Sequence, residues 1–264
     1  MSPKVEAAII AAGVGILTLI GAVYGTRKTS QDTKDVVNQQ LADQREQLDK
    51  TLKAQSDQLE KTLKAQSDQL EKTLAEQRTR TLNERFATAA EQLAADHPTA
   101  RLAGVHAMAG LADDWPENRQ TCVDVLCGYL RMPYPPDPGN EAPAKERFEF
   151  RGRREVRHTV IRTITAHLKL DAADPKSWQG LNFDFTGVVF DGGDFSGARF
   201  SGGRVTFSGA EFSGGEVTFY GAQFSGGTVD FSDAGDWSFP PAFPWTETLP
   251  SGVQLPQKED QSGA

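Results

Sequence analysis

The chain is 264 residues long, with 36 acidic against 28 basic residues and a net charge of −8. That balance is not the electrostatic footprint of a nucleic-acid binder, so nucleic acid is not expected as a partner. Two cysteines, Cys122 and Cys127, stand five apart, which excludes a disulfide framework and any paired zinc spacing.

Ala7 to Thr26 is a run of twenty uncharged residues. As a helix it spans about 30 Å, the hydrocarbon thickness of a bilayer. A cleaved signal peptide carries its positive charge ahead of the apolar run; here Arg27 and Lys28 follow it and Lys4 alone precedes it. Residues 1–28 therefore read as an uncleaved transmembrane anchor that holds the membrane through residues 7–26. The basic residues Arg27, Lys28 and Lys34 keep the downstream side in the cytoplasm. Gly13, Gly15, Gly21 and Gly25 have the spacing of close helix contacts in lipid, and equally that of the small residues common in any membrane helix.

Residues 29–82 form a polar rod. No Pro or Gly occurs from Asp32 to Leu82, and Leu41, Leu48, Leu52, Leu59, Leu63, Leu70 and Leu74 are spaced alternately seven and four apart. The unit is eleven residues, LDKTLKAQSDQ, then LEKTLKAQSDQ, then a divergent LEKTLAEQRTR. Eleven residues over three turns keep one nearly straight stripe, with little supercoil or a slight right-handed one. Acid-first pairs four apart, such as Glu46–Lys50 and Glu60–Lys64, support the helix. So polar a helix is marginal alone, and Gln55 and Gln66 share its stripe. The pattern predicts a parallel coiled-coil homo-oligomer that buries Leu48, Leu52, Leu59, Leu63, Leu70 and Leu74; a disordered polar tether is the rival. If helical through Ala95, the rod reaches on the order of 95 Å.

Residues 83–172 read as a helical module with a Pro-rich loop at 132–146. Phe86, Ala90 and Leu93 mark a first short helix, ended before Pro98. Pro98 opens a second, with Leu102, Val105, Met108 and Leu111; Pro116 and Glu117 open a third, with Val123, Leu126, Cys127 and Leu130. A fourth runs from Arg154 to about Leu170. The stretch Arg147, Arg151, Arg153, Arg154, Arg157, Arg162 reads first as a solvated face interleaved with Glu146, Glu149 and Glu155. Its other reading is an anion or partner patch at Arg151, Arg153, Arg154 and Arg157.

Residues 178–235 carry phenylalanines at five-residue steps, Phe185, Phe190, Phe195 and Phe200. The ladder continues as FSGGRVTFSGAE from Phe200, FSGGEVTFYGAQ from Phe212 and FSGGTVDFSDAG from Phe224. A short fixed period means stacked coils. The inward core is assigned to Phe185, Phe190, Phe195, Phe200, Val205, Phe207, Phe212, Val217, Phe219, Phe224, Val229 and Phe231. Ala198, Ala210 and Ala222 each precede a core phenylalanine by two, and the Gly and Ser between suit corners. About three coils are expected, near the minimum for a stable stack, so capping at both ends should matter. Residues 236–264 read as an aromatic cap, DWSFPPAFPW, followed by a disordered tail over the last fifteen or so residues.

These motifs, Ala198-Arg199-Phe200-Ser201-Gly202, Ala210-Glu211-Phe212-Ser213-Gly214 and Ala222-Gln223-Phe224-Ser225-Gly226, resemble the pentapeptide-repeat family. The resemblance covers about a fifth of the chain. It implies a short right-handed quadrilateral β-helix, with one face per coil lengthened where FSGGxVxF breaks the five-residue step. The segment before it is similar to a helical module found ahead of the repeats in bacterial membrane pentapeptide-repeat proteins. The expected fold class is thus multidomain α plus β: transmembrane helix, long coiled-coil helix, small helical module and short β-helix.

No motif of catalysis or metal binding stands in the sequence. His97, His106, His158 and His167 form no metal pairing, no Walker loop occurs, and no serine sits in GxSxG. No catalytic, cofactor or metal site is expected. The reading is a non-enzymatic scaffold in a bacterial cell membrane, with its head binding an unidentified protein in the cytoplasm. The alternative, implied by the family resemblance, is a DNA-mimic inhibitor of a nucleic-acid enzyme such as a topoisomerase.

Overall fold

The computed structural model describes residues 32–212, 214–245 and 248–257. The apolar run Ala7–Thr26 and its glycine positions lie outside the described residues. Among the described residues no helix is long and apolar enough to cross a membrane.

Helix α1 runs from Asp32 to Ala94. Its sequence offers no Gly or Pro to stop it, and side chains reinforce its backbone ladder. Glu46 pairs with Lys50 at 2.5 Å and Arg80 with Glu84 at 3.0 Å. The hydroxyls of Thr51, Thr62, Thr73 and Thr88 donate to carbonyls four residues back at 2.8–2.9 Å. The separate short helix expected around Phe86 to Leu93 does not exist. With no breaker before Ala95, those residues are the last turns of α1, where Leu82, Ala89 and Leu93 become buried.

Helix α2, Pro98–Asp114, starts where His97 Nδ1 accepts the Thr99 N–H at 3.3 Å. A 3-10 turn at Pro116–Asn118 feeds α3, Arg119–Arg131. Helix α4 spans Ala144–Lys169, so it begins ten residues before the expected Arg154. Pro143 fixes its entry, and Phe150 in the added turns stacks on Tyr134 of the preceding loop at 5.5 Å. These helices and the C-terminal repeats share one buried core. It runs from Val105, Met108 and Leu111 through Leu126, Val160 and Ile164 to the phenylalanines.

The repeats form short parallel strands: β1 Phe183–Asp184, β2 Gly193–Asp194, β3 Arg199–Ser201, β4 Arg204–Thr206, β5 Val217–Thr218, β6 Gln223–Ser225, β7 Thr228–Asp230 and β8 Val253–Gln254. Pairing falls in four columns: β1-β4-β7-β8, β2-β5, β3-β6, and the bridges Val189–Glu211–Asp236. Phe183 pairs with Val205, 22 residues on; Val205 pairs with Val229, and Val229 with Val253, each 24 on. A coil is therefore two twelve-residue units, and the first coil is two residues short.

The interior is four ladders of three rings each. Phe185, Phe207 and Phe231 stack at 5.0 and 4.1 Å; Phe195, Phe219 and Phe243 at 4.9 and 5.5 Å. Phe190 stacks on Phe212 at 5.0 Å, and Trp237 meets Phe212 edge-on at 5.2 Å. Phe200, Phe224 and Trp245 follow at 5.3 and 5.1 Å. Such ring pairs add roughly 0.5–1.5 kcal/mol each beyond burial. Every assigned inward residue is buried except Phe224, which is partly covered by Trp245 in the last coil. Phe183, Val188 and Trp178 are buried with them.

The expected disorder of the tail is corrected for residues 250–257. Val253 completes the third coil because it repeats the inward position of Val229, and Ala242 bridges Thr218. The corners explain the paired glycines of FSGG. Gly203 and Gly215 have φ of 69° and 75°, and each passes directly over a carbonyl of the coil before, Leu181 and Asp191 respectively. A Cβ there would collide with that backbone.

Phe207→Ala should cost about 3–5 kcal/mol, read as a fall in urea midpoint. Gly203→Ala should destabilise by roughly 1–3 kcal/mol. Gly214→Ala, with open space at its Cβ, should stay within about 0.5 kcal/mol of wild type.

Candidate interaction surfaces

The first coil would leave its phenylalanines open to water without a cover, and the helices supply it. Gln120 Nε2 donates to Asn182 O at 2.9 Å, while Asn182 N donates to Gln120 Oε1 at 2.9 Å. Arg131 pairs with Asp184. Arg119 donates to Ser177 O at 3.2 Å and Pro175 O at 2.5 Å. Thr165 donates to Asp194 O at 2.9 Å.

The centre of this contact is Asp191. The sequence here reads Phe190-Asp191-Gly192-Gly193-Asp194-Phe195, where later units read FSGGxVxF. Two residues are missing, and Gly193 stands in register with the inward Val217. Ile161 of α4 fills the vacated space, its Cδ1 lying 3.3 Å from where a Gly193 Cβ would be. Asp191 replaces the corner serine and faces α4. Tyr134 donates its hydroxyl to Oδ2 at 2.7 Å, His158 Nε2 lies 3.0 Å from Oδ1, and Arg154 Nε lies 3.0 Å from Oδ2. Partial burial works to raise this carboxyl. The hydrogen bonds from His158 and Tyr134 and the charge of Arg154 outweigh it and hold it below the ordinary carboxylate range.

The expected arginine patch is therefore corrected at two positions. Arg157 is buried; it donates to Leu130 O at 2.6 Å and Val189 O at 2.7 Å and lies 4.3 Å over the Tyr134 ring. Arg154 is spent on Asp191. Arg151 is exposed and Arg153 half-exposed, so these two remain on the surface.

The leucine stripe of α1 stands in the open. Leu48, Leu52, Leu59, Leu63, Leu70 and Leu74 are 56–61% exposed. On an eleven-residue period Gln55 and Ser56 flank the Leu48–Leu52 pair, Thr51 and Asp49 stand at its two outer edges, and Lys50 and Asp57 fall across the helix from it. One edge of the seam carries Asp49, Glu60 and Glu71 at the eleven-residue step, and the other carries Thr51, Thr62 and Thr73.

The remaining chemistry is accounted for by structure. Burial pushes the Cys122 thiol up to about 11 and the Cys127 thiol up to about 12, so neither is a thiolate nucleophile near neutral pH. His167 stacks on Trp178 at 4.0 Å, and its Nε2 lies 3.3 Å from Asp113 Oδ1. The repeat serines are corner residues: Ser208 Oγ bonds Asp233 at 2.8 Å and the Ser196 N–H bonds Asp194 at 2.8 Å. Among the described residues no group of His, Cys, Asp or Glu could hold a metal ion.

Residues 184–235 match the family model described as pentapeptide repeats (9 copies). No curated protein and no solved structure matches the chain. Sequence reading found the repeats but missed Asp191 as the contact centre; the FDGG variant and the two-residue gap after it were the available signal.

A carboxyl held low in the fold stabilises it above its unfolded pKa of about 4, and that contribution is lost as pH falls through the folded value. Asp191→Asn should therefore cost about 1–3 kcal/mol at neutral pH and flatten the acid limb of the stability–pH curve. An unchanged acid limb would show that Asp191 is not the latch.

Proposed function

We propose that this chain, whose residues 184–235 are pentapeptide repeats, is a membrane-tethered scaffold that works by binding rather than by catalysis. Pentapeptide repeats suggest a protein-interaction scaffold in general. The observation that carries the reading is the filled interior: four ring ladders occupy the solenoid axis, so the repeats have only an outer surface to offer. Four columns of parallel pairing per coil support a right-handed quadrilateral β-helix as the form of that head.

In this proposal residues 7–26 cross a bacterial cell membrane, with the bulk of the chain in the cytoplasm. The exposed leucines of α1 join copies side by side in parallel. Burying them contributes roughly 1–2 kcal/mol per leucine, which offsets the marginal stability of a lone polar helix.

Alkaline carbonate should leave the full-length chain in the membrane pellet; release to the supernatant removes the anchor. Deleting residues 83–235 should abolish partner capture while anchoring persists, and retained capture would count against the scaffold. Leu59→Asp with Leu63→Asp should turn the oligomer into monomer by sedimentation. Because Asp49, Glu60 and Glu71 repeat along one edge of the seam, parallel association should strengthen as salt rises from about 0.05 to 0.5 M; weakening with salt would place opposite-charge pairs in the interface instead.

A further inference from the structure

Four glutamines share the leucine face of α1. Gln44, Gln55, Gln66 and Gln77 recur at the eleven-residue step, each seven residues after Val37, Leu48, Leu59 or Leu70. Seven residues are just under two turns, so these amides lie within the stripe and not behind it. All four residues are exposed, and among the described residues their amides have no hydrogen-bond partner.

Burying the leucines against a second copy buries these amides with them. An amide carries both donor and acceptor, so it pairs with another amide but not with a leucine. Copies in phase set Leu48 on Leu48 and Gln55 on Gln55. A slip of seven residues sets Leu48 on Gln55, Leu59 on Gln66 and Leu70 on Gln77. A slip of four sets Gln55 on Leu59 and Gln66 on Leu70. Either slip leaves amides desolvated without partners, which is costly. A slip of one whole repeat keeps like on like but forfeits the contacts of that repeat.

Leucine matching does not decide direction. An antiparallel pair also matches every leucine from 48 to 74: Leu48 with Leu74, Leu52 with Leu70, Leu59 with Leu63. That arrangement turns like edges toward each other, so Glu60 meets Glu60 and Asp49 meets Glu71. Like charges set face to face reject such a pairing. Parallel copies place the acidic edge against the edge of Thr51, Thr62 and Thr73. Only the longer-range repulsion between acidic rows then remains, and salt screens it.

We infer that the stripe of α1 is a self-recognition surface for a second copy of this chain, its phase fixed by Gln44, Gln55, Gln66 and Gln77 and its direction by Asp49, Glu60 and Glu71. The inference rests on the proposed side-by-side association and names the residues that choose the partner. A polar rung in each repeat lowers affinity and raises selectivity, so an unrelated leucine-rich helix is a poorer match than the chain itself.

Disulfide trapping on the full-length chain in detergent, where no bilayer aligns the copies, tests this. In size-tagged mixtures, Leu59→Cys with itself reports the in-phase parallel pair. Leu52→Cys with Leu59→Cys reports the seven-residue slip, and Leu48→Cys with Leu74→Cys the antiparallel pair. Cys122 and Cys127 are buried, and the chain without an added cysteine is the blank. The in-phase product should exceed each of the others by about ten-fold or more. Gln55→Leu with Gln66→Leu should tighten association yet raise the slipped product about ten-fold. Asp49→Asn, Glu60→Gln and Glu71→Gln together should raise the antiparallel product by a similar factor. Comparable products from wild type overturn the inference, as does a glutamine variant that associates more weakly. A slipped product unmoved by the glutamine changes removes the phase role, and an antiparallel product unmoved by the acid changes removes the direction role. The underlying association is judged separately: a monomer by sedimentation with no cross-link removes it, whereas an oligomer of mixed phase keeps it and removes the rungs.

Discussion

The C-terminal half depends on aromatic rings stacking from coil to coil. Phe207 sits 5.0 Å from Phe185 and 4.1 Å from Phe231, and that spacing holds only if each coil returns to the same register. Register in turn requires the corners to be thin. A backbone that passes directly over a neighbouring carbonyl has no room for a Cβ, and Gly203 and Gly215 occupy such points. Ring stacking and corner glycine are thus one constraint expressed at two places, and either alone leaves the stack undetermined.

A stack of so few coils has two apolar ends, and each end is closed by a different device. At the far end Trp237, Phe243 and Trp245 end three of the ladders, two of them with the larger indole ring, and Val253 extends the sheet. At the near end the coil is shortened by two residues; α3 lies against it through Gln120 and Arg131, and α4 through Arg157, Ile161 and Thr165. The polar contacts there are mostly side chain to backbone carbonyl. They satisfy edge groups that no further coil will pair.

The inward phenylalanines were legible from sequence because large residues at a fixed step can face only one way in a coil. The alternating leucines of α1 and the breaker at Pro98 were legible for similarly local reasons. The start of α4 was not, because Arg147, Arg151 and Arg153 masked the apolar Phe150 that anchors its added turns. The closing strand at Val253 escaped because its surroundings, rich in Pro and polar residues, carry no repeat of their own. The roles of Arg154, Arg157 and Asp191 depend on pairing between segments about 35 residues apart. A charge run read along one helix holds no information about which members turn inward.

A coil of two similar twelve-residue halves has a consequence for how such a head can change size. Because Val205, Val229 and Val253 recur at 24 residues, a whole block of that length inserted between the shortened coil and the tryptophan lid would meet the same neighbours above and below. The protein could therefore lengthen by tandem duplication without altering either closure, whereas an insertion of a single five-residue step would rotate every later side chain out of its column.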